Sequence, residues 1–216
     1  MERKAQVDVP IGSKHLEGDL FIPEGANGVV LFAHGSGSSR HSPRNRFVAE
    51  VLNKGNLATL LIDLLTKEEG QQDVETAALR FDIGLLTERL EAVTKWLELD
   101  GRTKRMRIGY FGASTGAAAA LCAAAAKQKS VQAVVLRGGR PDLAGSCLQS
   151  VKAPTLLIVG GCDFPVVELN EKALSALRCE KKLVIVPHAT HLFQEEGALE
   201  SVAKLALDWF LTHLRG

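Results

Sequence analysis

Residues 108–117 read Ile-Gly-Tyr-Phe-Gly-Ala-Ser-Thr-Gly-Ala, and this stretch decides the fold. Residues 108–111 form a short apolar run that is typical of a buried strand, and the alanine-rich residues 116–127 predict a helix. Gly112-Ala113-Ser114-Thr115-Gly116 lies between them and matches the pattern G-x-S-x-G. A strand, a sharp turn and a helix in this order predict a nucleophile elbow, a turn that holds its serine hydroxyl outward.

The elbow gives Ser114 a candidate role as a nucleophile. Glycines flank such a serine because a Cβ at those positions would collide with neighbouring backbone. The N–H of Thr115, at the positive end of the following helix, would point at the oxyanion that forms when Ser114 attacks an ester carbonyl. The other interpretations are a structural turn and a phosphate-binding loop, but the latter needs a lysine where this chain has alanines at 117–120.

Strands and helices alternate on both sides of the elbow. An alternating apolar pattern at residues 7–22 predicts a β-hairpin or meander, and continuous apolar runs predict buried strands at residues 29–33, 57–62, 131–136, 155–159 and 183–186. Helices are predicted over residues 43–54, through the repeat of Leu86, Leu90, Val93 and Leu97, and through a closing face of Leu199, Val202, Ala203, Ala206 and Phe210. The pattern predicts one α/β domain over residues 1–216, with a mostly parallel central sheet and helices on both faces.

Ligands of such a sheet bind beyond the carboxyl ends of its strands. This rule selects the residues that follow each strand, namely 34–40, Asp63, 114–116, 137–140, Asp163 and 188–191. A serine nucleophile needs a general base and a group that orients the base, in the chain order serine, acid, histidine. Asp163, behind Gly160-Gly161, is the predicted acid, with a turn-capping aspartate as the alternative interpretation and Asp63 as the weaker alternative acid.

Two histidines compete for the role of base in the loop Pro187-His188-Ala189-Thr190-His191. We favour His191, because three additional residues give it the reach from the strand end to the elbow, whereas His188 lies close to the strand. The spacing H-x-x-H could suggest a metal site, but there is no H-E-x-x-H and no third ligand is evident. The sequence therefore predicts Ser114, Asp163 and His191 as the catalytic residues and no metal or cofactor.

The loop His34-Gly35-Ser36-Gly37 follows a buried strand where a second oxyanion donor is expected. The backbone N–H of Ser36 is our candidate, beside that of Thr115, and a flexible turn is the alternative interpretation. His34 is expected to order the loop by hydrogen bonding. Arginines at 40, 44 and 46 could attract an anionic substrate, although a solvated helix face is the simpler interpretation.

Composition excludes several classes of protein. The 216 residues are 46% hydrophobic and 24% charged, as in an ordinary globular domain, and 26 basic against 25 acidic residues leave a net charge of +1. No broad electrostatic field then favours nucleic acid or an anionic membrane, so the expected partner is a small-molecule ester. Four cysteines without a C-x-x-C pair predict reduced thiols, and an N-terminus without an apolar leader stretch predicts a cytoplasmic protein.

The elbow, the loop at residues 34–37, Asp163 and His191-Leu192-Phe193 together resemble the α/β-hydrolase superfamily. The small size, the segment at residues 61–66 and the absence of a cap make the chain similar to the dienelactone hydrolase family within it. The resemblance implies an α/β-hydrolase fold and hydrolytic chemistry. The namesake enzymes use a cysteine where this chain has Ser114, which favours a general serine carboxylesterase.

The leading hypothesis is a serine carboxylic ester hydrolase that works through an acyl-enzyme. A thioesterase, an acyltransferase or a dienelactone-type lactone hydrolase would use the same residues, and a noncatalytic binding protein on this fold is the alternative of a different class. The interval between residues 136 and 155 is too short and too rich in turn formers for a helical cap, so we expect an open mouth and short acyl groups. The sequence does not determine the physiological ester or the oligomeric state.

Overall fold

The computed structural model describes residues 3–215. Met1, Glu2 and Gly216 lie outside the described residues. All three belong to the domain predicted over residues 1–216, and Met1 and Glu2 also belong to the N-terminal stretch in which no apolar leader is predicted. The strands are β1 (Arg3–Ile11), β2 (Lys14–Ile22), β3 (Gly28–Ala33), β4 (Ala58–Ile62), β5 (Arg107–Ala113), β6 (Val131–Arg137), β7 (Thr155–Gly160) and β8 (Lys181–Val186). The predicted strands are confirmed, with ends shifted by a few residues.

The strands form one sheet in the order β1-β2-β4-β3-β5-β6-β7-β8. β2 pairs antiparallel with both β1 and β4, and every other pairing is parallel. The carboxyl ends of β3, β5, β6, β7 and β8 therefore share one edge of the sheet. That edge receives the loops that carry Ser36, Ser114, Asp163 and His191.

The helices are α1 (Pro43–Lys54), α2 (Lys67–Thr76), α3 (Ile83–Leu99), α4 (Thr115–Ala126), α5 (Phe164–Ala176) and α6 (Ala198–Leu214), with short 3-10 helices at Leu79–Phe81 and Pro141–Ser150. Helices α2 and α5 were not predicted from the sequence. The signals were present, because Thr66 and Glu69 form a capping box at the start of α2 and Pro165 lies in the first turn of α5.

The core has two halves, one on each face of the sheet. Side chains of α3 and α4 pack on one face, with Leu90 and Leu121 fully buried, and side chains of α1 and α6 pack on the other, with Leu52 and Phe210 fully buried. Neighbouring residues of β3 alternate between the two halves, which explains why that strand is a continuous apolar run. The predicted fold class is confirmed.

No separate cap covers the sheet edge within residues 3–215. The interval after β6 folds instead into the 3-10 helix Pro141–Ser150, which packs against α4 and α5. Within the same described range, none of the helices combines the length and the apolar character that crossing a membrane requires.

A disulfide links α4 to this 3-10 helix. Cys122 and Cys147 form the bond with their Cα atoms 5.1 Å apart, whereas Cys162 and Cys179 are free. The expectation of four reduced thiols is wrong for the first pair. Spacing along the chain does not reveal that two segments 25 residues apart pack side by side.

Candidate active site

The backbone of Ser114 adopts a conformation that is rare for a residue with a side chain. Its φ is 49° and its ψ is −121°, at the junction between β5 and α4. The Ser114 N–H donates to the Arg137 carbonyl at 3.3 Å, and the Arg140 N–H donates to the Ser114 carbonyl at 3.0 Å. These two bonds fix the strained turn to the neighbouring strand. The turn has the geometry of the predicted elbow.

The two glycines of the elbow are required by close backbone contacts. A Cβ on Gly116 would lie 2.4 Å from the carbonyl oxygens of Ala33 and His34, and a Cβ on Gly112 would lie 2.7 Å from the Cα of Ala117. Backbone atoms cannot yield as a flexible side chain can. Only glycine therefore allows α4 to begin directly against the end of β3.

Asp163 and His191 form a hydrogen bond across two loops. The distance from His191 Nδ1 to Asp163 Oδ2 is 2.6 Å. Because an ionised carboxylate only accepts, Nδ1 carries the hydrogen, and this tautomer leaves Nε2 as a free acceptor. Asp163 occupies the N-cap position of α5, but its side chain makes no capping bond. Its carboxylate is directed to the histidine instead.

The loop that carries His191 is held in place by its own contacts. The Cys162 N–H donates to the Ala189 carbonyl at 2.9 Å, which ties the aspartate loop to the histidine loop. Thr190 Oγ1 donates to Glu195 Oε1 at 2.6 Å. Phe193, with a φ of 53°, inserts its ring into the core and is 1% exposed. The histidine is therefore presented by an anchored loop.

His191 lies close to Gly138, which follows the last residue of β6, the strand beside the elbow. A Cβ built on Gly138 would lie 3.5 Å from His191 Cε1, and Gly138 follows Arg137, whose carbonyl accepts from Ser114. Among residues 3–215, the structure has no hydrogen bond between Ser114 Oγ and His191. Catalytic hydrogen bonds are often long in ligand-free proteins and shorten when substrate binds.

The two candidate oxyanion donors are linked to each other. The Ser36 N–H donates to Thr115 Oγ1 at 2.8 Å, and Thr115 is the first residue of α4. The Thr115 N–H is one of the N–H groups that a helix leaves without an internal partner. The strand-end rule predicts both residues at the same edge of the sheet, but no pattern in the sequence indicates this hydrogen bond.

Asp63 and His188, the alternatives to Asp163 and His191, have other partners or positions, and His34 orders its loop as expected. Asp63 accepts from the backbone N–H of Arg40 at 2.6 Å and from its guanidinium. His34 Nε2 accepts from the Leu64 N–H at 3.1 Å while Nδ1 lies 3.0 Å from the Gly35 carbonyl, so both nitrogens order the loop. Burial lowers the pKa of His34 and keeps the ring neutral. His188 is exposed, with a φ of 62°.

The arginines near the loop at residues 34–37 differ in their pairing. Arg40 forms ion pairs with Glu17, Asp19 and Asp63, and Arg46 pairs with Asp19. Among residues 3–215, Arg44 Nε is buried without a hydrogen-bond partner, as are Nε and Nη1 of Arg137 at the end of β6. The strand-end rule had selected Arg137 from the sequence, but no local pattern indicated that it would be unpaired.

A cleft of about 990 Å³ opens beside Ser36. Its walls are the loop at residues 34–41, the start of α2 and the β1-β2 hairpin, and they include Lys14, Asp63 and Arg80. Most of the residues that line the cleft are of polar or charged types, and Ser114, Asp163 and His191 are not among them. In the described part of the chain, no three His, Cys, Asp or Glu side chains converge as metal ligands.

Comparison with known proteins relates the chain to hydrolases. Residues 16–213 match the model of the dienelactone hydrolase family. A crystal structure of dienelactone hydrolase from Anabaena variabilis is 60% identical, with a TM-score of 0.98 and 99% of each chain covered. The esterase Pf2001 of Pyrococcus furiosus is 20% identical, with a TM-score of 0.79 over 99% of this chain and 94% of its own, and this likeness shows the fold alone.

Two curated relatives have a different description. They are putative phosphoribosyl transferases from two strains of Mycobacterium tuberculosis, and each is 56% identical over 214 residues. The match covers 99% of this chain but 47% of each relative. The chain therefore spans about half the length of the curated relatives it matches.

The packing at Gly116 predicts a sharp difference between two glycines. We expect Gly116→Ala to lower the free energy of unfolding by about 1–3 kcal/mol, because its methyl group meets two carbonyl oxygens. Gly70→Ala, inside α2 and with no atom within 4 Å of a Cβ, should raise it by about 0.5–1 kcal/mol. Urea denaturation of both variants measures the difference, and equal effects would contradict the close-contact account.

Proposed function

The chain belongs to the dienelactone hydrolase family, and from that membership we propose that it is a serine carboxylic ester hydrolase acting on small, short-acyl esters. The observation that carries the proposal is the 2.6 Å hydrogen bond between Asp163 and His191, at the same sheet edge as the strained Ser114. A nucleophile on a tight turn and a base held by a carboxylate are the two requirements of acyl transfer to serine.

In the proposed first half-reaction, Ser114 Oγ attacks the ester carbonyl carbon while His191 Nε2 takes the hydroxyl proton. Asp163 holds the tautomer that makes this transfer possible and stabilises the imidazolium that results. The tetrahedral intermediate collapses, the bond to the alcohol oxygen breaks, and His191 returns the proton to that oxygen. The products are a free alcohol and an acyl group on Ser114.

The second half-reaction repeats the same steps with water. His191 Nε2 takes a proton from the attacking water, a second tetrahedral intermediate forms, and its collapse returns the proton to Ser114 Oγ. The acid leaves and the enzyme is restored. No cofactor takes part in either half-reaction.

We assign the oxyanion hole to the N–H groups of Thr115 and Ser36. The Thr115 N–H begins α4 and lies at the positive end of the helix dipole. The Ser36 N–H is occupied by Thr115 Oγ1 in the free protein. An oxyanion is a stronger acceptor than a hydroxyl, so we propose that it takes over this N–H when the intermediate forms.

The surroundings of the site favour small substrates. Two apolar side chains next to the proposed catalytic residues are exposed, Phe164 at 70% and Leu192 at 39%, and they offer a limited apolar rim. The cleft beside Ser36 is lined mainly by polar and charged residue types. No separate cap closes this edge of the sheet within residues 3–215, so a long acyl chain would stay largely in water.

A lactone is a cyclic ester, and its hydrolysis uses the same steps. The name of the Anabaena variabilis relative, 60% identical over nearly the whole chain, makes lactone hydrolysis the second candidate. In that reaction the alcohol leaving group stays attached to the acyl group. The phosphoribosyl transfer named for the mycobacterial relatives is not part of the proposal, because this chain spans only 47% of each of those relatives.

The proposed roles predict large losses of turnover from three substitutions. We expect Ser114→Ala, His191→Ala and Asp163→Asn each to lower kcat/KM for p-nitrophenyl acetate by about 10⁴-fold, because each removes one member of a cooperating unit. His188→Ala is the matched control, since this exposed histidine lies three residues from His191. Circular dichroism verifies that each variant folds. Wild-type turnover in folded Ser114→Ala, or a larger loss in His188→Ala than in His191→Ala, would contradict the assignment.

The uncapped site predicts a preference for short acyl groups. Each methylene adds about 0.8 kcal/mol of binding only if it is buried, so kcat/KM should stop rising after the first few carbons. The measurement compares acetyl, butyryl, octanoyl and palmitoyl esters of one alcohol at a fixed detergent concentration. A maximum at palmitoyl would show that a deep apolar channel exists.

A further inference from the structure

The short turn after β6, formed by Gly138, Gly139 and Arg140, contacts both the proposed nucleophile and the proposed base. The Arg140 N–H donates to the Ser114 carbonyl at 3.0 Å. A Cβ on Gly138 would lie 3.3 Å from the His191 carbonyl oxygen and 3.5 Å from its Cε1. A displacement of this turn would therefore shift Ser114 and His191 relative to each other.

The turn needs support from outside, because two consecutive glycines restrain the backbone very little. Gly138 has a φ of 51°, in the left-handed region. Its N–H donates to the Ile158 carbonyl at 2.8 Å, which fixes the first residue of the turn to β7. The carbonyl of the second residue, Gly139, accepts from the side chain of Asn170.

The Asn170 amide donates to two carbonyls. Its Nδ2 lies 3.0 Å from the Gly139 oxygen and 2.7 Å from the Val166 oxygen. Because both partners only accept, the amide nitrogen has to face them. Asn170 lies on α5 and is fully buried, as is Gly139. No donor from solvent would therefore replace this amide if it were removed.

The other end of the Asn170 amide makes no hydrogen bond. Within residues 3–215, its Oδ1 is buried without a partner. A buried acceptor without a partner lowers the stability of the fold. A leucine has as many side-chain heavy atoms, has a higher helix propensity and would carry no such acceptor. Asparagine thus costs stability at this position, as residues at functional sites commonly do, and what it supplies is the Nδ2 donor.

Asn170 also connects the turn to the helix that begins at the proposed acid. Asp163 is the N-cap of α5, and its carbonyl accepts from the Val166 N–H at 3.0 Å. The Val166 carbonyl is the second acceptor of the Asn170 amide. One buried side chain therefore joins the first turn of the Asp163 helix to the segment that contacts Ser114 and His191.

We propose that Asn170 is a positioning residue, whose amide holds Gly139 and thereby fixes Ser114 and His191 relative to Asp163. The inference rests on the proposed function for the reaction at Ser114 and adds a residue that contacts neither the substrate nor the reacting atoms. Without the donor, the two glycines leave the turn free to shift. A misplacement of catalytic groups by about 1 Å can lower a rate by about 100-fold.

The first test measures turnover per competent site. Asn170→Leu removes the donor, and the competent sites are counted by organophosphate labelling of Ser114 that is run to completion. We expect kcat for p-nitrophenyl acetate, per labelled site, to fall by about 10- to 100-fold while KM changes by less than about threefold. A purely structural role would lower the number of sites and leave kcat per site unchanged. That result in a folded variant would overturn the proposal.

Asn53→Leu is the matched control. Asn53 lies on α1, and its Nδ2 also donates twice, to the Leu57 carbonyl at 3.0 Å and to Thr59 Oγ1 at 3.0 Å. Neither partner contacts the proposed catalytic residues, so kcat per site should equal that of the wild type. An equal loss in both variants would overturn the proposal. If Asn170→Leu does not fold, Asn170→Ala removes the same donor with a smaller side chain and is compared with Asn53→Ala.

The second test needs no ester turnover. The hydrogen-bonded Nδ1 proton of His191 is observed as a downfield NMR signal and assigned by its loss in His191→Ala. We expect this signal to shift or broaden in Asn170→Leu and to stay unchanged in Asn53→Leu. In a protein that hydrolyses no ester, a changed signal would retain the role of Asn170 and refute the esterase, and an unchanged signal would refute both. Ester turnover with an unchanged kcat per site would retain the esterase and refute the role of Asn170.

Discussion

The contact between α4 and the end of β3 is the constraint on which the site depends. At Gly116, the helix backbone approaches the carbonyl oxygens of Ala33 and His34 more closely than any Cβ would allow. This approach forces the turn into the positive φ of Ser114 and brings the first N–H of α4 to the loop that carries Ser36. The same packing is maintained along α4 by alanines, whose small side chains are buried all round the helix.

Hydrogen bonds between two loops hold the second half of the site, which consists of Asp163 and His191. Asp163 and His191 come from loops after adjacent parallel strands, and the backbone hydrogen bond from Cys162 to Ala189 joins those loops. The carboxylate then selects the histidine tautomer. Preorganised polar groups of this kind need no reorientation when charge develops on the histidine ring.

Local patterns in the sequence predicted the features that depend on periodicity. The apolar runs gave the buried strands, the spacing of Leu86, Leu90, Val93 and Leu97 gave α3, and G-x-S-x-G between a strand and a helix gave the elbow. Features that depend on contacts between distant segments were not predictable. The disulfide between Cys122 and Cys147, the hydrogen bond from Ser36 to Thr115 and the missing partner of Arg137 each require knowledge of which segments pack together. Helix α5 was not predicted because the glycines before Asp163 favour a turn, although Pro165 marks a helix start.

The central claim is that Ser114 is an activated nucleophile, and covalent labelling tests it most directly. The folded protein is incubated with an organophosphate ester, and the adduct is weighed by intact mass spectrometry and located by peptide mapping. An activated serine displaces the leaving group, whereas an ordinary serine does not react. The account predicts a single adduct on Ser114 that is absent in Ser114→Ala and forms far more slowly in His191→Ala. No adduct on the folded wild-type protein, or an adduct on another residue with Ser114 unmodified, would contradict it.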